Sequence, residues 1–209
     1  MTLLNAGTWA DSYTKLLAFN LTQYDRVLNL DSDSTVLRPM DELFLVPPAP
    51  VAMPKAYWLR PNFDILTSGV LLVQPSKEEY ERVVDRIGSA GPSEYDMDIL
   101  NQLYGSTALV LPHRRYCLVS GEFRSDDHSN YLGPSGSWDA AKIFSEAKFI
   151  HFSDWPVPKP WRYMTTQVKA KHQPRCHEVD GMEVCTERQI WTHLYDDFRR
   201  RREVGHPLV

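Results

Sequence analysis

Short apolar runs alternate with amphipathic segments along the chain. The apolar runs predict strands at residues 26–30, 51–53, 65–73, 108–111 and 147–152. Apolar residues at helical spacing predict helices at roughly 11–23, 76–88, 96–104 and 187–202. Strands that alternate with helices are typical of an α/β fold, and antiparallel pieces near the end of the chain would make its sheet mixed.

Local signals mark where several of these elements begin and end. Thr8-x-x-Asp11 resembles a capping box before the first helix, with Asp in place of the usual Glu or Gln, and Ser76-x-x-Glu79 opens the second. Residues 112–136 are polar and irregular, and too long for a simple connection, which predicts a functional loop. Three prolines in the segment HFSDWPVPKPW at 151–161 exclude regular structure there.

Two aspartates follow the first predicted strand in the stretch RVLNLDSDSTVLRP. Because side chains alternate along a strand, Asp31 and Asp33 are expected on the same side of the chain. This position is the carboxyl end of a strand, where open α/β sheets bind their ligands, and two converging carboxylates suit a divalent cation. A solvated turn could use the same residues, so both interpretations stay open on this fragment.

His151, at the end of the last predicted strand, is a candidate for a third metal ligand. Two carboxylates and an imidazole suit Mn²⁺ or a similar cation, and leave positions for phosphate oxygens. Lys15 and Lys159 could neutralise a diphosphate, although each could equally be a solvated surface charge.

Composition and charge exclude some classes of function. The chain of 209 residues is 43% hydrophobic and 24% charged, which is ordinary for one globular domain. A formal charge of −4 argues against nucleic acid or an anionic membrane surface as a partner. No apolar run approaches the roughly 18 residues of a membrane span, and the first 20 residues lack the pattern of a signal peptide. No membrane segment is therefore expected in this chain.

The cysteines predict a hairpin near the end of the chain. Cys176 and Cys185 bracket HEVDGMEV, with Asp180-Gly181, a preferred type I′ turn, at its centre. Counting outward places the cysteines on a non-hydrogen-bonded pair with Cα atoms about 4.5 Å apart, which lies within the range of a disulfide. A disulfide implies an oxidising compartment. Free thiols, or a zinc site with His177, are the alternatives, and Cys117 is expected to be a lone buried thiol.

Five segments in a fixed order carry a resemblance to a known family. They are YTKLLAFNLTQYDRVLNLDSDSTVL, MDELF, LTSGVLLVQPS, DMDILNQLY and HFSDWPVPKPW. The series resembles glycosyltransferase family 8, the glycogenin-like retaining enzymes, and most closely the fungal branch that includes N-acetylglucosaminyltransferases of the secretory pathway. The resemblance implies a single glycosyltransferase-A-type (Rossmann-like) α/β domain over 1–209. Its core is 8–161, with a mixed sheet flanked by helices, and the disulfide hairpin and terminal helix occupy 162–209.

The same resemblance assigns site residues. It makes Asp31, Asp33 and His151 the ligands of Mn²⁺ (or Mg²⁺), and it gives Lys15 and Asp96 catalytic roles. The residues that it places at the donor substrate, a UDP-sugar, are Lys15, Thr67, Ser68, Gly69, Asp96, Asp98, Lys159 and Trp161. Met97 stands where the family has a glutamine and offers no nucleophile. Sugar transfer with retention of configuration would therefore proceed by front-face attack or a short-lived ion pair.

The implied reaction moves a sugar of glucose or N-acetylglucosamine type from a UDP-sugar to a glycan or protein acceptor. The implied location is the secretory pathway, in the Golgi lumen. The family's amino-terminal βαβ unit, which holds uracil and ribose, is expected to be missing, so a catalytically inactive truncated homologue is one alternative. The second alternative is a haloacid dehalogenase-type phosphatase, because Asp31-Ser-Asp33-Ser-Thr35 also fits the nucleophile motif of those enzymes, Asp-x-Asp-x-Thr.

Overall fold

Short strands and helices fill the part of the chain that the computed structural model describes, residues 12–59 and 64–205. The strands are β1 Val27–Leu30, β2 Ser34–Val36, β3 Val51–Pro54, β4 Val70–Val73, β5 Leu109–Leu111, β6 Leu118–Val119, β7 Phe149–His151, β8 His177–Val179 and β9 Met182–Val184. The α-helices are α1 Lys77–Gly88, α2 Asp96–Tyr104, α3 His113–Tyr116, α4 Ser129–Leu132, α5 Ala140–Glu146, α6 Thr166–His172 and α7 Thr186–Gly205. Three 3₁₀ helices span Ser12–Asn20, Asp41–Leu45 and Ser120–Arg124.

These elements form two compact units. The first contains the described residues up to Asp31 together with Met40–Pro112, and the second contains Ser32–Pro39 together with the described residues from His113 onward.

A four-stranded sheet in the order β1-β4-β3-β5 forms the centre of the first unit. β4 pairs antiparallel with β1 and β3, while β3 and β5 are parallel. Every residue of β3 and β4 is buried, as expected for continuous apolar strands covered on both faces. The sheet is mixed, as predicted, but its antiparallel pairs lie here and not only near the end of the chain.

The first predicted helix is correct in place and wrong in type. Residues Ser12–Asn20 form a 3₁₀ helix, with three residues per turn, so Tyr13, Leu16 and Phe19 fall on one face. Leu16 and Phe19 are buried in the core, and Tyr13 packs against it. Leu17 lies off this face and is 53% exposed. The proposed cap at Thr8 lies outside the described residues.

The predicted strand 65–73 is only half a strand, because β4 begins at Val70. Before it, the side chain of Asn101 on α2 satisfies the backbone of Leu66: Nδ2 donates to the Leu66 carbonyl at 2.7 Å, and Oδ1 accepts from its N–H at 2.8 Å. Ser68 and Gly69 therefore lie in the turn that enters β4 and not in a strand interior, as the apolar pattern suggested.

Helix boundaries in the first unit follow the predicted signals. The Ser76 hydroxyl accepts the Glu79 N–H at 3.2 Å and opens α1, and α2 spans the predicted residues 96–104. Helices α5 and α6 were not predicted.

A three-stranded sheet in the order β2-β7-β6 anchors the second unit. β2 and β7 are antiparallel, and β6 and β7 are parallel. Helix α7 packs its aromatic residues into this unit: Trp191 is fully buried, and the ring centroid of Tyr195 lies 5.0 Å from that of Phe152.

Residues 112–136 are not the irregular loop that their polarity suggested. They contain α3, β6, the third 3₁₀ helix and α4, and they bury Cys117, Phe123 and Tyr131 in the core of the second unit. The sequence of this segment has no helical or strand periodicity, and hydrogen bonds between residues distant in sequence hold it instead. The Tyr131 hydroxyl, for example, donates to the Arg114 carbonyl at 2.7 Å. Cys117 is buried and forms no disulfide, as predicted.

The predicted hairpin and its disulfide are confirmed. β8 and β9 pair His177 with Val184 and Val179 with Met182, the register counted outward from Asp180-Gly181. Asp180 and Gly181 have φ angles of 52° and 76°, as a type I′ turn requires. Cys176 and Cys185 form the disulfide across a Cα–Cα distance of 4.3 Å.

The disulfide is expected to stabilise the second unit by limiting the unfolded chain. Replacing both cysteines with serine should lower the free energy of unfolding by about 2–3 kcal/mol, the chain-entropy value for so short a loop. Urea unfolding of the oxidised protein and of the variant measures the difference. Dithiothreitol should destabilise the native protein and leave the double variant unchanged; equal effects on both would contradict the prediction.

Among the residues described, no helix combines the length and the apolar character needed to cross a membrane.

Candidate functional site

In the first unit, Lys15 lies at the centre of a partly buried polar cluster. Its Nζ forms ion pairs with Asp31 Oδ1 and, at 2.9 Å, with Asp96 Oδ2. Ser68 completes the cluster, since its hydroxyl donates to Asp96 Oδ2 at 2.5 Å and lies 3.4 Å from Lys15 Nζ. Each residue comes from a different element: the first 3₁₀ helix, the end of β1, the turn before β4 and the start of α2.

Burial and opposite charge compete at the Lys15 ammonium. Burial lowers the pKa of Lys15, but the carboxylates of Asp31 and Asp96 outweigh it and hold the pKa above its usual value. Lys15 is therefore a permanent cation, which fixes two carboxylates that would otherwise repel each other.

Thr67 and Gly69 border this cluster. The Asp31 N–H donates to the Gly69 carbonyl at 3.0 Å, which extends the pairing of β1 with β4 up to the aspartate. A Cβ placed on Gly69 would lie 3.5 Å from Asp31 Oδ2 and from Thr67 Oγ1, an ordinary contact. Protein packing therefore does not require glycine at this position.

The two aspartates of α2 have separate roles. Asp96 is buried, and its backbone N–H donates to the Ser12 hydroxyl at 3.2 Å, which ties the start of α2 to the first 3₁₀ helix. The Asp98 carboxylate instead accepts the N–H of Tyr95 at 2.9 Å and caps the helix. The structure thus brings Asp96 into the Lys15 cluster and uses Asp98 as a cap.

In the second unit, Asp33 lies between the His151 imidazole and the Lys159 ammonium group. Its Oδ1 lies 3.1 Å from His151 Nε2 on β7, and its Oδ2 lies 2.5 Å from Lys159 Nζ. Lys159 also donates to the carbonyl of Phe152 at 2.8 Å, and the N–H of Phe152 donates to the carbonyl of Asp33 at 2.8 Å. The proline-rich segment after β7 is thereby attached to Asp33.

The environment of Asp33 keeps its carboxylate ionised. Burial raises the pKa of Asp33, but the hydrogen bond and charge of His151, followed by those of Lys159, hold it well below its usual range. An ionised carboxylate beside an imidazole is a donor pair that a divalent cation can use.

Trp161 ends the proline-rich segment and packs near α7, with its ring centroid 6.3 Å from that of Phe198. It is 38% exposed, which leaves part of the indole accessible. Its predicted role at the donor stays a prediction.

A buried ion pair that the sequence analysis missed supports the same segment. Asp154 lies three residues after His151, and its side chain is only 3% exposed. Its Oδ1 pairs with Arg124, and its Oδ2 accepts the Trp191 indole N–H at 2.7 Å. No local pattern marks these residues, because both partners of Asp154 are distant from it in sequence.

Curated proteins similar to this chain have related names. Glucose N-acetyltransferase 1 of Gibberella zeae is 56% identical over 195 residues, which cover 91% of this chain and 43% of that protein. The protein of the same name from Aspergillus fumigatus is 45% identical over 94% of this chain and 55% of its own length. Human glycogenin-1 is 30% identical over 83% of this chain and 48% of its own length. The chain thus spans about half the length of these relatives. No protein-family model matches it.

Solved structures with the same fold are glycosyltransferases. The apo form of GlyE from Streptococcus pneumoniae has a TM-score of 0.57 at 14% identity and covers 92% of this chain and 47% of its own. An active-site mutant of LgtC has a TM-score of 0.52 at 15% identity and covers 91% of this chain and 66% of its own. With its mixed sheets and flanking helices, the chain has the predicted glycosyltransferase-A-like α/β fold.

Proposed function

Because the chain belongs to glycosyltransferase family 8, in the glycogenin-like fungal branch of the glucose N-acetyltransferase 1 proteins, we propose that it takes part in metal-dependent sugar transfer. The reaction is the transfer of a hexose, of glucose or N-acetylglucosamine type, from a UDP-sugar to a glycan or protein acceptor with retention of configuration. The observation that supports this proposal is the pairing of Asp33 with His151 and Lys159, which places a carboxylate and an imidazole, two ligand types of divalent cations, next to an ammonium group.

The ligand atoms that these residues offer suit a divalent cation. Asp33 and His151 supply an ionised carboxylate and an imidazole nitrogen 3.1 Å apart. The resemblance to the family assigns Asp31, two residues earlier in the sequence, as a further carboxylate ligand, and two carboxylates with one imidazole suit Mn²⁺ or Mg²⁺. When bound, the cation would act as a Lewis acid and stabilise charge on the departing diphosphate.

The two lysines supply fixed positive charge of their own. Lys159 is held by Asp33 and the Phe152 carbonyl, and Lys15 is held by Asp31 and Asp96. Ammonium groups positioned in advance stabilise developing negative charge without reorganising during the reaction. Both lysines are therefore assigned to the phosphates of the donor.

The buried polar groups near Lys15 suit a sugar. The Asp96 carboxylate can accept hydrogen bonds from sugar hydroxyls, and the Ser68 and Thr67 hydroxyls can accept or donate them. Gly69, which packing does not require, allows the donor to approach the backbone closely. Met97 has no nucleophilic atom, so retention is assigned to front-face attack or a short-lived ion pair.

We place the chain in the secretory pathway, in the Golgi lumen. The disulfide between Cys176 and Cys185 supports an oxidising compartment. The family membership removes the basis for the haloacid dehalogenase alternative, which depended on the Asp-x-Asp-x-Thr spacing alone.

Titration calorimetry with UDP tests the proposal directly. The 209-residue chain is expected to bind UDP in the presence of Mn²⁺ and to lose that binding when EDTA removes the cation, because the cation held by these residues would supply the positive charge that attracts the diphosphate. Mg²⁺ in place of Mn²⁺ identifies the preferred ion. Binding of equal strength with EDTA would contradict metal dependence, and no binding at millimolar UDP would favour the catalytically inactive homologue.

A further inference from the structure

A polar cavity of about 400 Å³ lies within the second unit. None of the residues assigned above to the metal, the donor or the phosphates lines it. Its walls come from the third 3₁₀ helix, the end of α6 and the residues that lead into the disulfide hairpin, with contributions from Trp138 and the first turn of α7.

One wall of the cavity is built rigidly. The Arg124 guanidinium is held by the buried carboxylate of Asp154, and its second terminal nitrogen lies 3.5 Å from His172 Nδ1. Both Arg124 and His172 line the cavity. Since a guanidinium has five N–H donors, this anchoring leaves some of them for a ligand.

A stacked pair forms a second wall. The rings of His128 and Trp138 lie parallel, with centroids 3.7 Å apart and an interplanar angle of 10°. His128 Nδ1 lies 2.8 Å from Glu122 Oε1, and the Trp138 indole N–H donates to Glu187 Oε1 at 3.2 Å. These contacts fix the pair and engage Glu187, one of two carboxylates in the cavity wall.

Two further cations line the cavity without a carboxylate partner. Among the residues described, Lys171 and Arg175 form no ion pair, although the net charge of the chain is −4. Arg175 follows Pro174, whose carbonyl accepts the Arg188 side chain at 2.8 Å, so its backbone is anchored. Together with Arg124, they give the wall three cationic side chains. The wall also contains two carboxylates, Asp126 and Glu187, and three imidazoles: His128, His172 and His177.

We propose that this cavity is a second ligand site, which binds the anionic group of a sugar-sized small molecule. Arginine and lysine side chains recognise phosphate and carboxylate groups through charge-assisted hydrogen bonds, and imidazole N–H groups add to them. The cavity is within the size range of small-molecule sites and exceeds the space that an inorganic anion needs. Phosphate esters and uronic acids are the two sources of such a group.

Calorimetry on the full chain separates these sources, with glucose 6-phosphate, glucuronate and glucose as probes. At least one of the two anionic sugars is expected to bind saturably, and glucose is not. The double variant Lys171→Gln/Arg175→Gln should weaken that binding by about tenfold or more, because hydrogen bonds to charged groups are lost. Lys169→Gln is the matched control: it lies on α6, pairs with Asp196 at 3.5 Å and does not line the cavity.

Several results would overturn the proposal. They are an absence of saturable binding for both anionic sugars at millimolar concentration, glucose binding as tight as that of either anion, or unchanged binding in the double variant. The double variant should also bind UDP with Mn²⁺ as the native chain does. A joint loss of UDP binding and anionic-sugar binding would place both ligands in one site and would equally overturn the proposal, whereas the failure of UDP binding alone bears only on the proposed transfer activity.

Discussion

Asp33→Asn is expected to weaken UDP binding in the presence of Mn²⁺ by roughly 100-fold or more, while the protein stays folded. Changes in residues that only support metal ligands cost about 10–100-fold, so the loss of a ligand charge should reach or exceed that range. The asparagine oxygen can still accept a hydrogen bond from Lys159, so the position loses its charge and keeps its shape. Calorimetry with UDP and Mn²⁺, together with a circular dichroism spectrum, measures both effects.

A matched control for this variant is Asp85→Asn on the exposed side of α1, which should bind UDP as the native chain does. If Asp33→Asn kept the affinity of the native chain in Mn²⁺, the assignment of this carboxylate to a cation would be wrong. The remaining interpretation would be a turn residue whose only role is to hold Lys159 and His151.

Asp154→Ala is expected to lower the free energy of unfolding by about 3–5 kcal/mol, the largest loss among the variants proposed for this protein. The substitution removes a carboxylate that two residues share: the Arg124 guanidinium loses its counter-charge, and the Trp191 indole N–H loses its acceptor. Because Trp191 is fully buried, its N–H cannot regain a bond from water, and each unsatisfied buried donor costs free energy. Arg124 is 22% exposed, so partial hydration should place the result near the lower end.

Urea unfolding measures this difference, and two variants of the same type calibrate it. Asp154→Asn keeps an acceptor for Trp191 and should lose less than half as much, while Asp196→Ala on the exposed face of α7 should stay within about 0.5 kcal/mol of the native protein. A loss below about 1 kcal/mol for Asp154→Ala would show that the ion pair and the indole bond contribute little.

Local chemistry predicted the elements whose periodicity or turn signals were complete. Asp180-Gly181 alone determined the register of the hairpin, because only residues that tolerate positive φ form that turn, and the register in turn placed Cys176 opposite Cys185. The Ser76 cap and the limits of α2 were likewise local. The structure departs from prediction where side chains distant in sequence satisfy the backbone, as Asn101 does for Leu66.

The order of motifs in the sequence was sufficient to identify the family and to select Asp31, Asp33 and His151 as candidate ligands. The tertiary structure decided how those residues are held. Asp33 and Lys159 are 126 residues apart, and Lys15 meets Asp96 where the start of α2 is hydrogen-bonded to the first 3₁₀ helix. It also gave Asp96 and Asp98, both placed at the donor by the resemblance, different surroundings: Asp96 is buried against a cation, and Asp98 caps a helix. Charge pairing between distant elements depends on packing, which no single segment of the sequence encodes.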